Sequence, residues 1–330
     1  MLTLRSSKPF KLVLNNDLQD AIMPEIKLPE VELNIYTPKD PVEVPIVENR
    51  ICTKESSPNY VRHVTFDISG TDLEGHVRVG QSIGILPPGK NDRGRDYKLR
   101  LYSVASPTKG EEGKSNLVST TVKRTIEELE NNELYLGVCS NYLADLQPGD
   151  KVKMTGPSGR RFLLPENATD FNYIFFATGT GIAPYRGMIM ELLEAGIEND
   201  IVLVFGCPYR TDLLYADYFE SLDQEYSNFH YLPHISRETR RHDGSKKYVQ
   251  TCLWDEAELL DPLLNSDNTL LYICGLKGME SGIYRALAEK GLNQYLDIRE
   301  PAAEVEPSEW DDNHLKRYVK PSARTFVEVY

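Results

Sequence analysis

The chain has 330 residues, of which 40% are hydrophobic, and its formal net charge at pH 7 is −13. This length and this apolar content are sufficient for two domains with a core each. The acidic balance disfavours nucleic acid as the main partner, because phosphate binding requires a basic surface. No apolar run reaches the roughly 18 residues that a membrane span requires, so we expect a soluble protein.

The first half of the chain combines an irregular segment with a β-rich one. Residues 1–42 are rich in proline, lysine and acidic residues without a sustained period, and we predict an extended leader there. Residues 43–165 contain β-branched runs, such as "YVRHVTFDI" and "NLVSTTVKR", between glycine, proline and aspartate turns. This pattern predicts an antiparallel barrel or sandwich, with "NYLADL" as its best helix candidate.

Residues 166–330 have a different rhythm. The strand-length apolar runs "NYIFFATG", "IVLVFG", "NFHYLPHIS" and "TLLYICG" alternate with amphipathic segments. Such an alternation predicts βαβ units around a parallel sheet with helices on both faces. Ligands of such a domain bind beyond the carboxyl ends of the strands.

A glycine-containing turn follows the first of these strands, in "ATGTGIAP". Gly179 and Gly181 permit close backbone approach, and the amides of the following helix N-terminus can hold a phosphate. The spacing departs from GxGxxG, because Pro184 stands where the third glycine would be. On its own, the segment fits a simple turn as well as a nucleotide site.

The segment "SRETRRHDGSKKYVQ" follows the third strand and carries five basic and two acidic residues between Ser236 and Tyr248, a local charge of +3 by subtraction. At this place in a nucleotide-binding sheet, guanidinium and ammonium groups favour the 2′-phosphate of an adenosine ribose. Charge runs are more often solvated hairpins, and on its own the segment favours that alternative.

The five cysteines are widely spaced and include no CxxC pair, which argues against a disulfide framework and a zinc site and favours a reducing compartment. Cys274 ends the strand of "LYICGLKGME" and is open to three interpretations: a nucleophile, a redox thiol, or a small residue facing a ligand. A hydrolase would require a histidine base, and the six histidines form no local Cys-His signature.

Three segments of the β-rich half also offer ligand-binding groups: "RLYS", "GVCSNYL" and "GPSG". Arg100 and Ser140 supply donors for a diphosphate, and Tyr102 supplies a flat face for an aromatic ring. Each of these residues is ordinary on a barrel strand when taken alone.

Taken together and in order, these segments resemble the plant- and plastid-type ferredoxin–NADP⁺ reductases. The resemblance covers roughly residues 45–330 and rests on "RLYSVAS", "GVCSNYL", "GPSG", "GTGIAP", "SRE", "KYVQT", "CGLKGME" and the terminal "VEVY". It implies an antiparallel β-barrel domain that binds FAD, followed by a Rossmann-like α/β domain that binds NADP. The implied activity is hydride transfer between NADP(H) and a non-covalently bound FAD, coupled to one-electron exchange with ferredoxin or flavodoxin.

The resemblance also implies the residues of the two cofactor sites. Those for FAD are Arg100, Leu101, Tyr102, Ser103, Lys123, Val138, Cys139, Ser140 and Tyr330. Those for NADP are Thr180, Gly181, Pro208, Arg210, Ser236, Arg237, Lys246, Tyr248, Gly275 and Leu276. The catalytic residues around the reacting rings are Ser103, Cys274, Glu328 and Tyr330, with Cys274 as a packing and positioning group.

The resemblance gives the terminal tyrosine a specific role. Tyr330 would lie on one face of the isoalloxazine while Tyr102 covers the other, with offset aromatic stacking on each. The nicotinamide must occupy the face that Tyr330 covers. We therefore expect this ring to act as a gate that moves aside for hydride transfer.

Two positions depart from the family pattern. Glu127 stands where the family commonly has an aromatic residue that stacks on the FAD adenine, although Lys123 is retained. Arg210 replaces a small hydroxylated residue, and our hypothesis is that it adds a cationic contact to the NADP phosphates.

An acidic carrier would require a local positive surface on this acidic chain. We expect a basic rim around the flavin edge, formed by Arg93, Arg95, Lys98, Arg160, Arg161, Lys316, Arg317 and Lys320. We also expect a monomer without a metal site, in a bacterial cytoplasm or, alternatively, a plastid stroma.

Three alternatives remain open at this point. The first is a related NADPH-dependent flavoprotein reductase with another acceptor. The second is a non-catalytic binding module that retains the fold. The third and most remote is a hydrolase that depends on Cys274.

Overall fold

The computed structural model describes residues 24–330, so residues 1–23 of the predicted leader lie outside it. The remainder of the leader is extended and packs on both domains. The carbonyl of Lys27 accepts a hydrogen bond from the amide of Glu166 at 2.7 Å, and the amide of Asn34 donates to Pro157 O at 2.8 Å. Ile26 also packs against the core of the C-terminal domain. The described part of the predicted leader therefore packs against the folded domains.

The N-terminal domain is an antiparallel barrel. Its elements are β1 (Val42–Ile51), β2 (Val61–Asp67), β3 (Ser82–Leu86), β4 (Arg100–Ser103), β5 (Leu117–Lys123), β6 (Ile126–Glu128), β7 (Leu134–Leu136), α1 (Val138–Asp145) and β8 (Lys151–Ser158). Six strands form one sheet in the order β4-β3-β8-β1-β2-β5. An antiparallel bridge between Val104 and Thr120 joins the two edge strands and closes the barrel. The predicted antiparallel architecture is confirmed, and β6 and β7 form a separate hairpin.

The C-terminal domain is a parallel sheet covered by helices. Its elements are β9 (Asn172–Thr178), α2 (Ile182–Glu194), β10 (Ile201–Cys207), α3 (Ala216–Glu225), β11 (Phe229–Ile235), α4 (Cys252–Asp255), α5 (Ala257–Leu264), β12 (Thr269–Gly275), α6 (Lys277–Glu289), β13 (Leu296–Ile298), α7 (Asp312–Arg317), β14 (Val319–Pro321) and β15 (Thr325–Val329). The five-stranded sheet has the order β11-β10-β9-β12-β15, and β13 pairs with β14.

Alternation along the central strand β9 explains why helices cover both faces of this sheet. Phe175 belongs to one core together with Met188 of α2, whereas Phe176 belongs to a second core together with Ile283 of α6. A strand with both faces buried is an apolar run rather than an alternating one. The predicted α/β architecture is thus confirmed.

Buried polar contacts join the two domains. Arg186 of α2 pairs with Glu111, which precedes β5, at 2.6 Å between Nη2 and Oε1. Farther along the interface the Ser57 hydroxyl donates to the Asp212 carboxylate at 2.5 Å. These contacts hold the barrel against the C-terminal domain. Among residues 24–330, the helices are all too short or too polar to cross a bilayer.

Candidate active site

A cavity of about 450 Å³, here called the barrel cavity, opens on the barrel where β4, β5 and α1 meet the C-terminal domain. It is lined by all nine residues that the resemblance implied for FAD: Arg100, Leu101, Tyr102, Ser103, Lys123, Val138, Cys139, Ser140 and Tyr330. Segments far apart in sequence therefore form one site.

Local structure explains how β4 and α1 present these groups. Tyr102 is half-buried against the barrel core, and burial raises the pKa of its phenol, so it remains neutral. The Ser140 hydroxyl donates to Gly137 O at 3.3 Å and accepts from the Thr125 amide at 3.1 Å, which anchors the start of α1. A Cβ at Gly137 would lie 2.7 Å from the Thr125 Cβ, so glycine is required there.

The chemistry of this lining fits a flavin nucleotide. The Arg100 guanidinium is exposed and, within the described part of the chain, makes a single hydrogen bond, of 3.3 Å to its neighbouring carbonyl, which leaves donors for a phosphate. The first turn of α1 borders the same cavity, since Val138 and Cys139 line it, and helix N-termini suit phosphate groups. Tyr102 and Tyr330 supply two aromatic side chains for an isoalloxazine.

A second cavity of about 770 Å³, here called the sheet cavity, lies at the carboxyl edge of the parallel sheet. Five residues implied for NADP line it: Thr180, Pro208, Ser236, Tyr248 and Leu276. Five others lie outside its lining: Gly181, Arg210, Arg237, Lys246 and Gly275.

Two loops interlock at this edge, and their glycines are explained by backbone contacts. A Cβ on Gly181 would lie 2.1 Å from Cys274 O, so this glycine permits the loop to meet the end of β12. Gly275 has φ +140°, and the Thr178 hydroxyl beside it accepts from the Leu276 amide at 3.0 Å. Gly179, with φ +55° and open space beside it, is free to admit a ligand.

The basic segment forms a hairpin in which Arg240 bridges to Lys246. Several of its charges have partners within the chain. The Arg241 guanidinium pairs with Asp255 at 2.8 Å, and Arg237 donates to the Tyr209 hydroxyl at 3.1 Å. These contacts support the interpretation as a solvated hairpin, because they neutralise part of its charge. Its position beside the sheet cavity supports the interpretation as a phosphate site.

The cation that lines the sheet cavity from this hairpin is Lys247, which the sequence did not single out. Its ammonium lies 3.7 Å from the Glu256 carboxylate. Arg210 is exposed at the end of β10, outside the cavity lining, so its contact with the NADP phosphates stays a prediction.

Of the four catalytic candidates, Ser103 and Tyr330 line a cavity, whereas Cys274 and Glu328 lie outside both linings. Cys274 and Glu328 are neighbours in the register of β12 and β15. Burial raises the pKa of the Cys274 thiol, which disfavours a nucleophilic thiolate. Ser103 lines the barrel cavity, and Tyr330 lines both cavities.

Glu328 has a partner that the sequence did not reveal. Its Oε1 accepts from the Ser82 hydroxyl at 3.3 Å, and its Oε2 is buried without a hydrogen-bond partner among the described residues. Burial raises the pKa of this carboxyl, and the Ser82 hydrogen bond opposes that effect. Ser82 lies opposite Ser103 in the β3–β4 register, which places two hydroxyls side by side.

His234 is a second residue that sequence reasoning missed. It lines the sheet cavity, and its Nδ1 lies 2.9 Å from Tyr248 O. Because a carbonyl only accepts, Nδ1 carries the proton and Nε2 is an acceptor, buried without a partner among residues 24–330. Burial lowers the pKa of this imidazole to about 4, so it is neutral near pH 7.

A β-barrel with an aromatic, cation-bearing cavity, joined to a parallel sheet with a glycine loop and a second cavity, defines a two-domain nucleotide-dependent oxidoreductase. Residues 175–285 match the family model described as oxidoreductase NAD-binding domain. Curated relatives named ferredoxin–NADP reductase extend the similarity to nearly the whole chain. The chain is 37% identical to that of Synechocystis over 93% of its own length and 71% of the relative, and 38% identical to that of Spirulina over 91% and 99%.

The chain therefore belongs to the ferredoxin–NADP reductase family. The chloroplastic leaf isozyme 1 of Arabidopsis thaliana is 38% identical over 91% of this chain and 80% of the relative. The solved ferredoxin–NADP⁺ reductase of Plasmodium falciparum aligns with a TM-score of 0.66 at 26% identity, over 90% of this chain and 99% of that one. Family membership confirms the oxidoreductase activity and the two cofactors, FAD and NADP(H), that the motifs indicated.

Proposed function

We propose that this chain transfers a hydride between NADP(H) in the sheet cavity and FAD in the barrel cavity, and exchanges single electrons with ferredoxin or flavodoxin. One observation carries the proposal: Thr180 and Tyr330 line both cavities, so the cavities adjoin at the Tyr330 ring. Hydride transfer requires two rings in contact, and a shared wall provides the place for that contact. FAD is assigned to residues 43–165 and NADP to residues 166–330.

The barrel residues bind and orient the flavin. Arg100 and the start of α1 hold the diphosphate, and the neutral Tyr102 ring packs against one face of the isoalloxazine. Bound there, FAD supplies the exchange between two-electron and one-electron chemistry.

The residues at the shared wall position the nicotinamide. Cys274 is a small buried side chain at the end of β12, and Glu328 beside it has one carboxyl oxygen without a hydrogen-bond partner among residues 24–330. Both would lie near a nicotinamide bound at the shared wall. Ser103 and Ser82 place hydroxyls on the barrel side of the same region. These four side chains orient the nicotinamide ring and keep a proton close to it. The reaction involves no covalent bond to Cys274.

The sheet residues select NADP(H). Ser236, Tyr248 and Lys247 line the sheet cavity at the end where the basic hairpin borders it. A hydroxyl and an ammonium group suit a 2′-phosphate, and the phenol ring suits the adenine. Arg237 and Lys246 add positive charge from outside the lining.

The carrier docks on the basic rim. Its eight cations are all exposed: Arg93, Arg95, Lys98, Arg160, Arg161, Lys316, Arg317 and Lys320. Lys98 also lines the barrel cavity, so the rim reaches the flavin site. Ferredoxin appears in the names of the curated relatives, and an acidic carrier suits this surface. We assign the protein to a bacterial cytoplasm, with the plastid stroma as the alternative.

Purification and an acceptor assay test the function. We expect a yellow protein that releases FAD on denaturation and that reduces ferredoxin faster with NADPH than with NADH. Flavodoxin in place of ferredoxin identifies the carrier, and the rate falls with ionic strength if the rim steers encounter. A colourless protein, or equal use of the two nucleotides, would overturn the proposal; a rate independent of salt would contradict the rim alone.

A further inference from the structure

The hairpin of β6 and β7 forms one wall of the barrel cavity through a residue that no motif identified. Tyr135 of β7 lines this cavity together with Thr125, Gly137 and Lys123 at the base of the hairpin. Its ring is 49% exposed, although an aromatic ring of this size is usually covered. The hairpin therefore presents an uncovered aromatic face toward the flavin site.

The register of the hairpin relates Tyr135 to Glu127. The two residues lie directly opposite each other, and the flanking pairs are Ile126 with Leu136 and Glu128 with Leu134. Directly opposite residues share a face, and successive residues alternate. Glu127 and Tyr135 therefore point to one side, and the three apolar side chains to the other.

The cavity lining agrees with this division of the hairpin faces. Tyr135 is in the lining, whereas Ile126, Leu134 and Leu136 are outside it. Glu127 is on the correct face and has no aromatic group to offer. The aromatic ring that can stack on a base therefore lies on β7 in this chain, and not at position 127 on β6.

We propose that Tyr135 supplies the aromatic surface on which the adenine of FAD stacks. The inference depends on the proposed binding of FAD in the barrel cavity. Four aromatic side chains line the cavity: Tyr97, Tyr102, Tyr135 and Tyr330. Tyr102 and Tyr330 are committed to the isoalloxazine, and Tyr97 lies in the segment before β4, so Tyr135 is the ring that the hairpin offers to the other end of the dinucleotide. An aromatic side chain stacks on any base through its π-face, and an exposed tyrosine provides that face without ordering a long side chain.

The test compares FAD with FMN, which lacks the adenylate half. Full-length protein, freed of flavin, is titrated with each nucleotide as wild type and as Tyr135→Leu, which keeps the apolar bulk and removes the flat ring. We expect Tyr135→Leu to bind FAD about tenfold more weakly. FMN affinity is expected to remain unchanged, because FMN has no adenine to stack.

Two further variants separate stacking from hairpin stability. Leu134→Ala removes a more exposed apolar side chain from the opposite face, and it is expected to leave FAD affinity unchanged. Tyr135→Phe keeps the ring and should retain FAD affinity. The double variant Glu127→Tyr with Tyr135→Leu restores an aromatic ring on the same face, and recovery of FAD binding there supports the proposal.

The possible failures have distinct meanings. If the wild type binds FAD tightly and Tyr135→Leu binds it equally well, the inference is wrong and the proposed function stands. A loss of FMN affinity equal to that of FAD, or an equal loss in Leu134→Ala, would also overturn the inference. A wild type that binds no FAD would refute the proposed function itself. Far-UV circular dichroism of each variant establishes that it is folded.

Discussion

At the scale of single residues, the proposed function makes Tyr330 the side chain that decides which ring contacts the flavin. Its hydroxyl lies 2.5 Å from the Thr180 Oγ1 and interacts with the Gly181 backbone, and its amide donates to Gly275 O at 3.1 Å. Its side chain is still 61% exposed. A ring held by so few contacts can leave the shared wall at low cost and admit a nicotinamide.

Replacement of the Tyr330 ring should favour binding of the nicotinamide. We expect Tyr330→Ser to bind NADP⁺ about fivefold more tightly, because an aromatic stacking interaction worth about 1 kcal/mol no longer has to be displaced. The preference for NADPH over NADH should weaken, since the nicotinamide then binds without help from the 2′-phosphate. Binding titrations and the ratio of kcat/KM for the two nucleotides measure both effects.

Tyr330→Phe is the matched control for the gate. It keeps the ring and loses only the hydroxyl that contacts Thr180, so the coenzyme preference should stay close to that of the wild type. An unchanged preference in Tyr330→Ser would show that the tyrosine covers the flavin without gating the nicotinamide.

Short contiguous motifs let the sequence place residues on one surface without tertiary information. Arg100 and Tyr102 come from one strand, and their spacing alone places them on one sheet face. Ser82 could not be found in this way, because it is 246 positions from Glu328 and only tertiary packing brings the two together. Tyr135 could be placed on the cavity side only from the register of its hairpin, because the apolar residues there do not alternate with polar ones.

At the scale of secondary-structure elements, the basic hairpin after β11 illustrates the limit of charge counting. The sequence predicts a positive segment, and the structure places it beside the sheet cavity. Its neutralisation by Asp255, which lies on α4, depends on a contact between elements that local charge cannot reveal. By contrast, the strands and helices of the parallel sheet follow from runs of four to eight apolar residues and their spacing, which are local.

Lys247 should therefore contribute more to coenzyme selection than its exposed neighbours. We expect Lys247→Ala to raise the KM for NADPH about tenfold with little change for NADH, because a charge-assisted hydrogen bond to the 2′-phosphate is lost. Lys246→Ala and Arg210→Ala are the comparison variants. Their charges act through solvent from outside the lining, so their losses should be smaller and confined to low ionic strength.

The same measurements judge the hypothesis about Arg210. An Arg210→Ala protein with unchanged NADPH affinity at low salt would exclude a contact between Arg210 and the NADP phosphates. Equal losses of NADH and NADPH in Lys247→Ala would show that this lysine does not recognise the 2′-phosphate.

At the scale of the whole molecule, a buried polar cluster determines how the two domains meet. His63 of β2 is fully buried, and its Nδ1 lies 2.9 Å from the hydroxyl of Tyr215, which comes from the C-terminal domain. That hydroxyl also lies 2.6 Å from the Thr121 Oγ1 of the barrel. The carboxylates of Glu48 and Glu111 lie 3.9 and 3.7 Å from His63 Nε2.

The charge balance around His63 favours the neutral imidazole. Burial, together with the Arg186 and Arg50 guanidinium groups, lowers its pKa from 6.5 to about 3, and Glu111 opposes them. Glu111 forms an ion pair with Arg186, so its negative charge is largely balanced within the interface. The pattern of the sequence placed His63 on a barrel strand but could not reveal that it lies at a domain boundary.

The lowered pKa of His63 predicts how the stability of the protein changes in acid. Below pH 6.5 the unfolded chain binds a proton at His63, whereas the folded protein binds one there only near pH 3. The free energy of unfolding therefore decreases as the pH falls between these two values. The slope for one such group reaches about 1.4 kcal/mol per pH unit. We expect the Tm of the wild type to fall from pH 7 to pH 5, and His63→Gln, which can still hydrogen-bond Tyr215, to lose less over the same interval. His242→Gln, at an exposed position, should follow the wild type. A parallel decline of wild type and His63→Gln would mean that the interface does not exclude the proton, and that other groups cause the loss in acid.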